Sequence, residues 1–405
     1  MHILSSQVQE YAGRSSMIRQ MFEAGIELKK KYGQENVYDF SLGNPDFPPP
    51  PGVGKALAEL AENAGKPFAF GYMPNAGTLA VRQALAGRLR AEQQSDITAD
   101  HLVLTVGAAG GMNAFFRAVL NPGDEVICPA PYFVEYGFYV QNFGGKLCPV
   151  PAKPETFDLD LEAVEAAITP ATRVVLVNSP NNPTGRVYSQ EQMEGLAEII
   201  TRKSRQNQRV IYLLADEPYR FLSFDGQEVP ALLPLYPYTV VVSSFSKNLS
   251  LAGERIGYVL LNPRMPKVAE LHAGLVLTNR ILGFVNAPCI GQYIVERCVN
   301  EQADKTVYEA RRTAMAGVLD KAGLSYVLPQ GAFYFFPKVP RGLTDLDFVA
   351  LLQEERVLAV PGSGFGCPGY FRLSFSVQKQ VIEASGQSFL RAVERAGEKS
   401  VRSCP

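Results

Sequence analysis

Arg173-Val-Val-Leu-Val177, a helix-period stretch over 189–205, and Val210-Ile-Tyr-Leu-Leu-Ala215 decide the fold. The two apolar runs are short and β-branched, as strands are, and the segment between them repeats its apolar residues at helical spacing. Strand, helix and strand in that order imply parallel neighbours joined by a crossover. The alternation extends outward. Upstream lie Leu102-Val-Leu-Thr-Val106 as a strand, a helix to about Leu120, Glu125-Val-Ile-Cys128, a helix over 134–142, a strand over 146–150 and an Asp-capped helix over 160–168. Downstream, Thr239-Val-Val-Val-Ser243 and Ile256-Gly-Tyr-Val-Leu-Leu261 are two more strands. The pattern predicts an α/β protein with a mostly parallel, doubly wound sheet, whose ligands sit beyond the carboxyl ends of the strands.

The ends of the chain read differently. Met17, Met21, Phe22 and Leu28 fall at helical spacing, with Lys29, Lys30 and Lys31 closing a helix before Gly33. The prolines Pro48 to Pro51 exclude a helix interior or a central strand and suit a crossing between domains. From about 290 to 405, a long helix, short strands and Gly/Pro turns predict a smaller α+β domain.

Composition narrows the function. With 405 residues, 46% hydrophobic and 20% charged, the chain is neither collagen-like, disordered nor coiled-coil. Its 39 Lys+Arg against 40 Asp+Glu give no global electrostatic reason to bind nucleic acid or an acidic membrane. His2, His101 and His272 are too few and too dispersed for a His-built metal site or triad. Cys128, Cys148, Cys289, Cys298, Cys367 and Cys404 contain no C-x-x-C pair and lie in apparent strands and loops, as incidental thiols do in a reducing compartment. No apolar run approaches the ~20 residues of a membrane span. The first residues lack a secretory signal, so a soluble cytoplasmic protein is expected.

Polar signals follow the strands in turn: Asn178-Ser-Pro-Asn-Asn-Pro-Thr-Gly185, Asp216-Glu-Pro-Tyr219, and Ser243-Ser-Phe-Ser-Lys-Asn248, with Arg255 eight residues beyond Lys247. Singly they are turns, caps and solvated charges. Together they are complementary chemistry. A lysine of lowered pKa condenses with an aldehyde. A carboxylate keeps a pyridine nitrogen protonated, a phenol and an amide bond a ring oxygen, and an arginine with serines and helix N-terminal amides holds a phosphate.

Ser244-Phe-Ser-Lys-Asn-Leu-Ser-Leu-Ala-Gly-Glu-Arg-Ile-Gly257, preceded by Asn181-Asn-Pro-Thr-Gly185 and Asp216-Glu-Pro-Tyr219, resembles the attachment-site pattern of the class I/II aminotransferases, the fold type I pyridoxal 5'-phosphate enzymes of the aspartate aminotransferase family. The likeness runs from about residue 15 to 380. It implies that Lys247 is the Schiff-base lysine and proton shuttle, that Asp216 pairs with the ring nitrogen, and that Tyr219 and Asn182 bond the ring's phenolic oxygen. It implies further that Arg255, Ser244, Ser246 and the amides of Ala108 and Ala109 hold the phosphate. Phe133 in Pro131-Tyr-Phe-Val134 aligns with the stacking ring, with Tyr132 the off-by-one alternative. Phe371-Arg-Leu-Ser-Phe375 resembles the family's substrate-carboxylate motif, which implies that Arg372 is the partner of the substrate α-carboxylate and that Gly43, in the matching segment Leu42-Gly-Asn-Pro-Asp-Phe47, lies against the same group. Asn182 and Phe133 border the substrate as well.

The resemblance also implies a homodimer with shared active sites, Tyr72 in Gly71-Tyr-Met-Pro-Asn-Ala-Gly77 reaching the neighbouring subunit's phosphate. The domains would be 48–290, large and cofactor-binding, and 1–47 with 291–405, small. The reaction would move an amino group from an L-amino acid, aspartate or glutamate among the candidates, to a 2-oxo acid by a ping-pong mechanism. Arg280 stands one residue off the register of a second, side-chain-reading arginine, and a structural or solvated role is the better reading. A lyase acting on β-substituted amino acids, of the carbon–sulfur type, shares every cofactor motif and stays open. A cofactor-binding regulator is disfavoured, because the residues before Tyr38 are too few for an added helix-turn-helix.

Overall fold

The computed structural model describes residues 3–13 and 17–402. His2 and Cys404, and the side chains of Met17 and Phe22, lie outside what it describes.

Seven strands form one sheet, in the spatial order Leu102–Val106, Ile256–Leu261, Thr239–Ser244, Tyr212–Asp216, Thr172–Asn178, Glu125–Ala130 and Lys146–Pro151. Pairing is parallel throughout except for Ile256–Leu261, which runs antiparallel to both of its neighbours. The doubly wound sheet is therefore present with one reversed strand. Alternate residues of each strand face opposite ways. Val175, Val177, Leu213 and Ala215 pack with Leu85 and Leu89 of the helix Leu79–Glu92 and with Met193, Leu196 and Ile200 of the helix Gln190–Gln206. Val174, Leu176, Leu214 and Val242 face Met112, Phe115 and Phe116 of the helix Gly107–Val119 and Tyr136 of the helix Glu135–Gln141. Burial on both faces explains why these strands read as continuous apolar runs.

Local signals set the boundaries. Ser189 and Gln192 form a capping box at the start of Gln190–Gln206, and Asp160 Oδ1 accepts from Ala163 N–H at 3.0 Å ahead of Leu161–Ala167. The proline run ends with Pro51 in the first position of the helix Pro51–Asn63, where its missing N–H removes no helical hydrogen bond. The expectation for the cysteines needs one correction: Cys289 and Cys298 bound a helix rather than lying in strands or loops, because Ile294 and Val295 give that segment an apolar face against the sheet-side core. The five described cysteines are free thiols. Among the described residues no helix is long and apolar enough to cross a membrane.

A second core gathers Phe40, Tyr308, Met315, Leu319, Phe335, Phe348, Phe371 and Phe389, drawn from both ends of the chain, together with Tyr219, Leu222 and Phe224 from its middle. Three short strands, Val360–Pro361, Phe371–Ser374 and Tyr334–Phe335, pair antiparallel beside it. The 39–47 segment is tied to this body. Ser374 N–H donates to Phe40 O, Ser376 Oγ donates to Asn44 O at 3.1 Å, and buried Arg311 grips both carboxylate oxygens of Asp46 at 2.6 and 2.9 Å.

Leu176 lies at the centre of the sheet, fully buried among large side chains. Leu176→Ala removes that packing and leaves a cavity, so it should lower the unfolding free energy by about 2–5 kcal/mol. Chemical denaturation with unchanged slope measures the loss.

Candidate active site

Four parallel strands end side by side, at Ala130, Asn178, Asp216 and Ser244, and a cavity of about 300 Å³ opens beyond them. Its wall contains Gly43, Ala108, Ala109, Phe133, Asn182, Asp216, Tyr219, Ser244, Ser246, Lys247, Arg255 and Arg372, which are all but one of the site residues expected from the sequence. The exception is Tyr72, which is 92% exposed and outside the cavity wall of its own chain. Phe133 faces the cavity, whereas Tyr132 packs against Gly366. Arg280 is exposed in the last turn of the helix Val268–Ile281 and takes no part in the wall.

Asp216 is the last residue of its strand and is buried. Tyr136 donates its phenol proton to Asp216 Oδ2 at 2.5 Å, while Oδ1 has no hydrogen-bond partner. Burial pushes the carboxyl up to about 7, against the pull of the Tyr136 bond and with a further push from Glu217. An unpartnered, dehydrated carboxylate oxygen in a cavity wall is a place for a cationic N–H. The adjoining strand end holds the same region in register. Asn178 Nδ2 donates to Asp216 O at 2.9 Å, and its Oδ1 accepts from Asn182 N–H at 2.7 Å.

Lys247 follows the Thr239–Ser244 strand and donates from Nζ to Gly43 O at 2.5 Å. Burial, and then the guanidinium charges of Arg372 and Arg255, push the amine down to about 8. A minority of the amine, far more than of an ordinary lysine, is therefore neutral and nucleophilic near physiological pH.

The helix Gly107–Val119 begins at the cavity, so the expected glycine-rich turn is already its first turn. No side chain caps it, leaving its first N–H groups for an anion. The Arg255 side chain stands beside it: a Cβ on Gly107 would lie 2.8 Å from Arg255 Nη2, and Arg255 itself has φ 51°, a conformation rare for a residue with a side chain. Gly257 allows this approach, since a Cβ there would sit 2.6 Å from Ser243 O and 2.7 Å from Gly107 C. The helix start, Arg255, Ser244 and Ser246 thus form a cradle for a doubly charged group.

Opposite, Arg372 is buried and donates from Nη1 to Asn182 Oδ1 at 3.1 Å and from Nη2 to Ser41 O at 2.5 Å, leaving Nε without a partner. Burial pushes its pKa down from the ordinary arginine value, and its planar fork keeps donors for a carboxylate. Three phenols in the wall, Tyr136, Tyr139 and Tyr334, went unread in the sequence. Tyr136 stands three residues after Phe133, edge-on to it at 5.5 Å, and that offset along one helical turn was the available signal. Tyr334, whose hydroxyl lies 2.9 Å from that of Tyr219, sits in Gly331-Ala-Phe-Tyr-Phe-Phe336 and reads as an ordinary buried strand.

An orphaned carboxylate oxygen, an amine of low pKa and an anion cradle in one cavity fit pyridoxal phosphate's ring nitrogen, aldehyde and phosphate. Comparisons with known proteins bear on the family. The family described as aminotransferase class I and II matches residues 35–385. The chain is 33% identical over 380 residues to a protein of Aquifex aeolicus named probable aspartate/prephenate aminotransferase, covering 89% of this chain and 91% of that one. It is also 33% identical to a probable N-acetyl-LL-diaminopimelate aminotransferase of Bacillus subtilis, over 86% of this chain and 87% of that protein. A crystal structure of an amino transferase from Eubacterium rectale superposes with a TM-score of 0.93 at 37% identity, covering 98% of this chain and 99% of that one. A Thermus thermophilus aspartate aminotransferase mutant superposes at 0.86 with 30% identity, over 97% and 100% of the two chains. These relatives are named for transamination, which does not favour the lyase alternative. With strand ends, cavity and relatives in agreement, the chain belongs to the class I and II aminotransferase family and is a transaminase.

Proposed function

We propose that the transamination runs on pyridoxal 5'-phosphate held in this cavity, with an L-amino acid as donor and a 2-oxo acid as acceptor in a ping-pong sequence. The observation that carries the reading is the buried, unpartnered Asp216 Oδ1 in the same wall as the low-pKa Lys247 amine. When bound, the cofactor supplies an aldehyde for amines and a ring that draws electrons from the donor's α-carbon.

The chain's own residues then have distinct tasks. Lys247 Nζ carries the covalent attachment and serves as the base for the α-proton. Asp216 Oδ1 accepts from the protonated ring nitrogen, and Tyr136 holds Oδ2 so that the carboxylate cannot turn away. Tyr219 and Asn182 bond the phenolic oxygen, and Phe133 lies against the ring. Arg255, Ser244, Ser246 and the Ala108 and Ala109 amides hold the phosphate. Arg372 grips the donor's α-carboxylate with Gly43 beside it, displacing its present contacts to Asn182 Oδ1 and Ser41 O. The aspartate in the relatives' names makes aspartate the first donor to test, with glutamate next. Arg280, exposed and outside the wall, has no contact with a side chain bound in its own chain's cavity.

The same reading makes the protein a cytoplasmic homodimer in which exposed Tyr72 reaches the neighbour's phosphate. It divides the chain into a large domain over 48–290 and a small one from 1–47 and 291–405. Packing of the helix Cys289–Cys298 on the sheet-side core favours moving the upper bound of the large domain from 290 to the end of that helix.

Two outcomes test this. Attachment needs the neutral amine, and a Lys247 pKa near 8 means that fraction rises as pH rises through about 8. Cofactor attachment by the apoprotein, followed by absorbance, should therefore accelerate up to about pH 8 and level off above it; acceleration continuing to the ordinary lysine range would contradict the assignment. Asp216→Ala should still attach cofactor yet transaminate slower by about two orders of magnitude or more. A near-wild-type rate would show the ring nitrogen lies elsewhere.

A further inference from the structure

Tyr334 occupies a position where three parts of the site meet. Its hydroxyl lies 2.9 Å from the Tyr219 hydroxyl, both groups being buried. The Arg372 guanidinium sits over its ring, 4.7 Å from the centroid. The 39–47 segment passes so close to its hydroxyl that any side chain on Gly43 would collide with it. Tyr334 comes from the strand Tyr334–Phe335 beside the second core, whereas Tyr219 follows the sheet strand Tyr212–Asp216. The contact joins the substrate-carboxylate side of the cavity to the cofactor side.

Two phenols facing each other share one proton between their oxygens, and which of them donates decides what the other has left. Burial raises both, and the Tyr219 phenol stands well above the ordinary value. The Arg372 guanidinium lies over the Tyr334 ring and is not stacked on that of Tyr219, so its charge draws electron density from the Tyr334 hydroxyl first. Tyr334 is the more polarised phenol, hence the better donor. When it donates, Tyr219 Oη is an acceptor on that side, and its own proton is free to point into the cavity.

We propose that Tyr334 is a positioning residue: its hydroxyl donates to Tyr219 Oη and directs the Tyr219 proton onto the phenolic oxygen of the bound cofactor. The inference rests on the pyridoxal phosphate reading. It assigns Tyr334 no contact with the cofactor; it acts through Tyr219. The consequence is electrostatic. A Tyr219 hydroxyl polarised from behind is a stronger donor and stabilises the ionised form of the bound chromophore.

The test is a pH titration of the visible band of the holoprotein, without substrate, in wild type, Tyr334→Phe, Tyr219→Phe and the double variant. Removing the Tyr334 hydroxyl should raise the midpoint by roughly 0.5–1 pH unit, the worth of one neutral hydrogen bond. Tyr219→Phe should raise it at least as much. In the Tyr219→Phe background the Tyr334→Phe change should add nothing, because the relay is already cut. Placing 3-fluorotyrosine at position 334 keeps the shape and strengthens the donor, so it should move the midpoint down; this variant carries the test should Tyr334→Phe not fold. An unchanged midpoint in the 334 variants, or an equal shift with and without the Tyr219 hydroxyl, overturns the proposal while leaving the cofactor reading intact. A wild-type protein that takes no colour from pyridoxal phosphate sinks the cofactor reading, and this inference with it.

Discussion

A carboxylate held out of water at the carboxyl edge of a parallel sheet is the constraint on which the rest of the site depends. Dehydration opposes the charge of Asp216, and the protein offsets it only in part, with one phenol on one oxygen. The other oxygen has no hydrogen-bond partner among the described residues. The sheet makes this possible, because Asn178, Asp216 and Val242 are in register across three parallel strands. Whatever follows those residues, Asn182, Tyr219, Ser244 and Lys247 included, must emerge on the same side of the molecule. The reversed strand Ile256–Leu261 then returns Arg255 and Gly257 to the same edge, against the start of the helix Gly107–Val119.

The substrate side is built on other principles. Ser41, Gly43, Tyr334 and Arg372 come from the two ends of the chain and share the second core, and their contacts to Asn182, Lys247 and Tyr219 cross to the sheet side. The contacts that cross are aromatic as well as polar, since the Tyr219 ring packs edge-on against Phe333 and Tyr334. Arg311 on Asp46 and Ser376 on Asn44 make the 39–47 segment travel with the second core. On the proposed reading, a substrate carboxylate on Arg372 would replace bonds that the protein makes to itself, coupling binding to rearrangement of this side.

Much of this was legible in the residues, for physical reasons. Strands buried on both faces must be apolar throughout, so their sudden polar endings stand out, and Asn178, Asp216 and Ser244 are found at once. The step from Lys247 to Arg255 is legible because it matches the attachment-site pattern that the chain resembles. Strand direction was not legible: Ile256–Leu261 has the same composition whether parallel or antiparallel, and only its partners decide. Tyr136 and Tyr334 were missed because a buried phenol with a polar task and a buried phenol filling space have the same neighbours in sequence. Their hydroxyl partners, 80 and 115 residues away, exist only in the fold.

The central claim, that this cavity passes an amino group through pyridoxal phosphate, is tested most directly by the visible absorption spectrum of the loaded protein. It would be recorded as amino acids are added one at a time without an acceptor. The account predicts that the band bleaches with a donor such as aspartate and returns when a 2-oxo acid is supplied. A band that persists under every donor, while pyruvate and ammonia accumulate from a β-substituted amino acid, would contradict it.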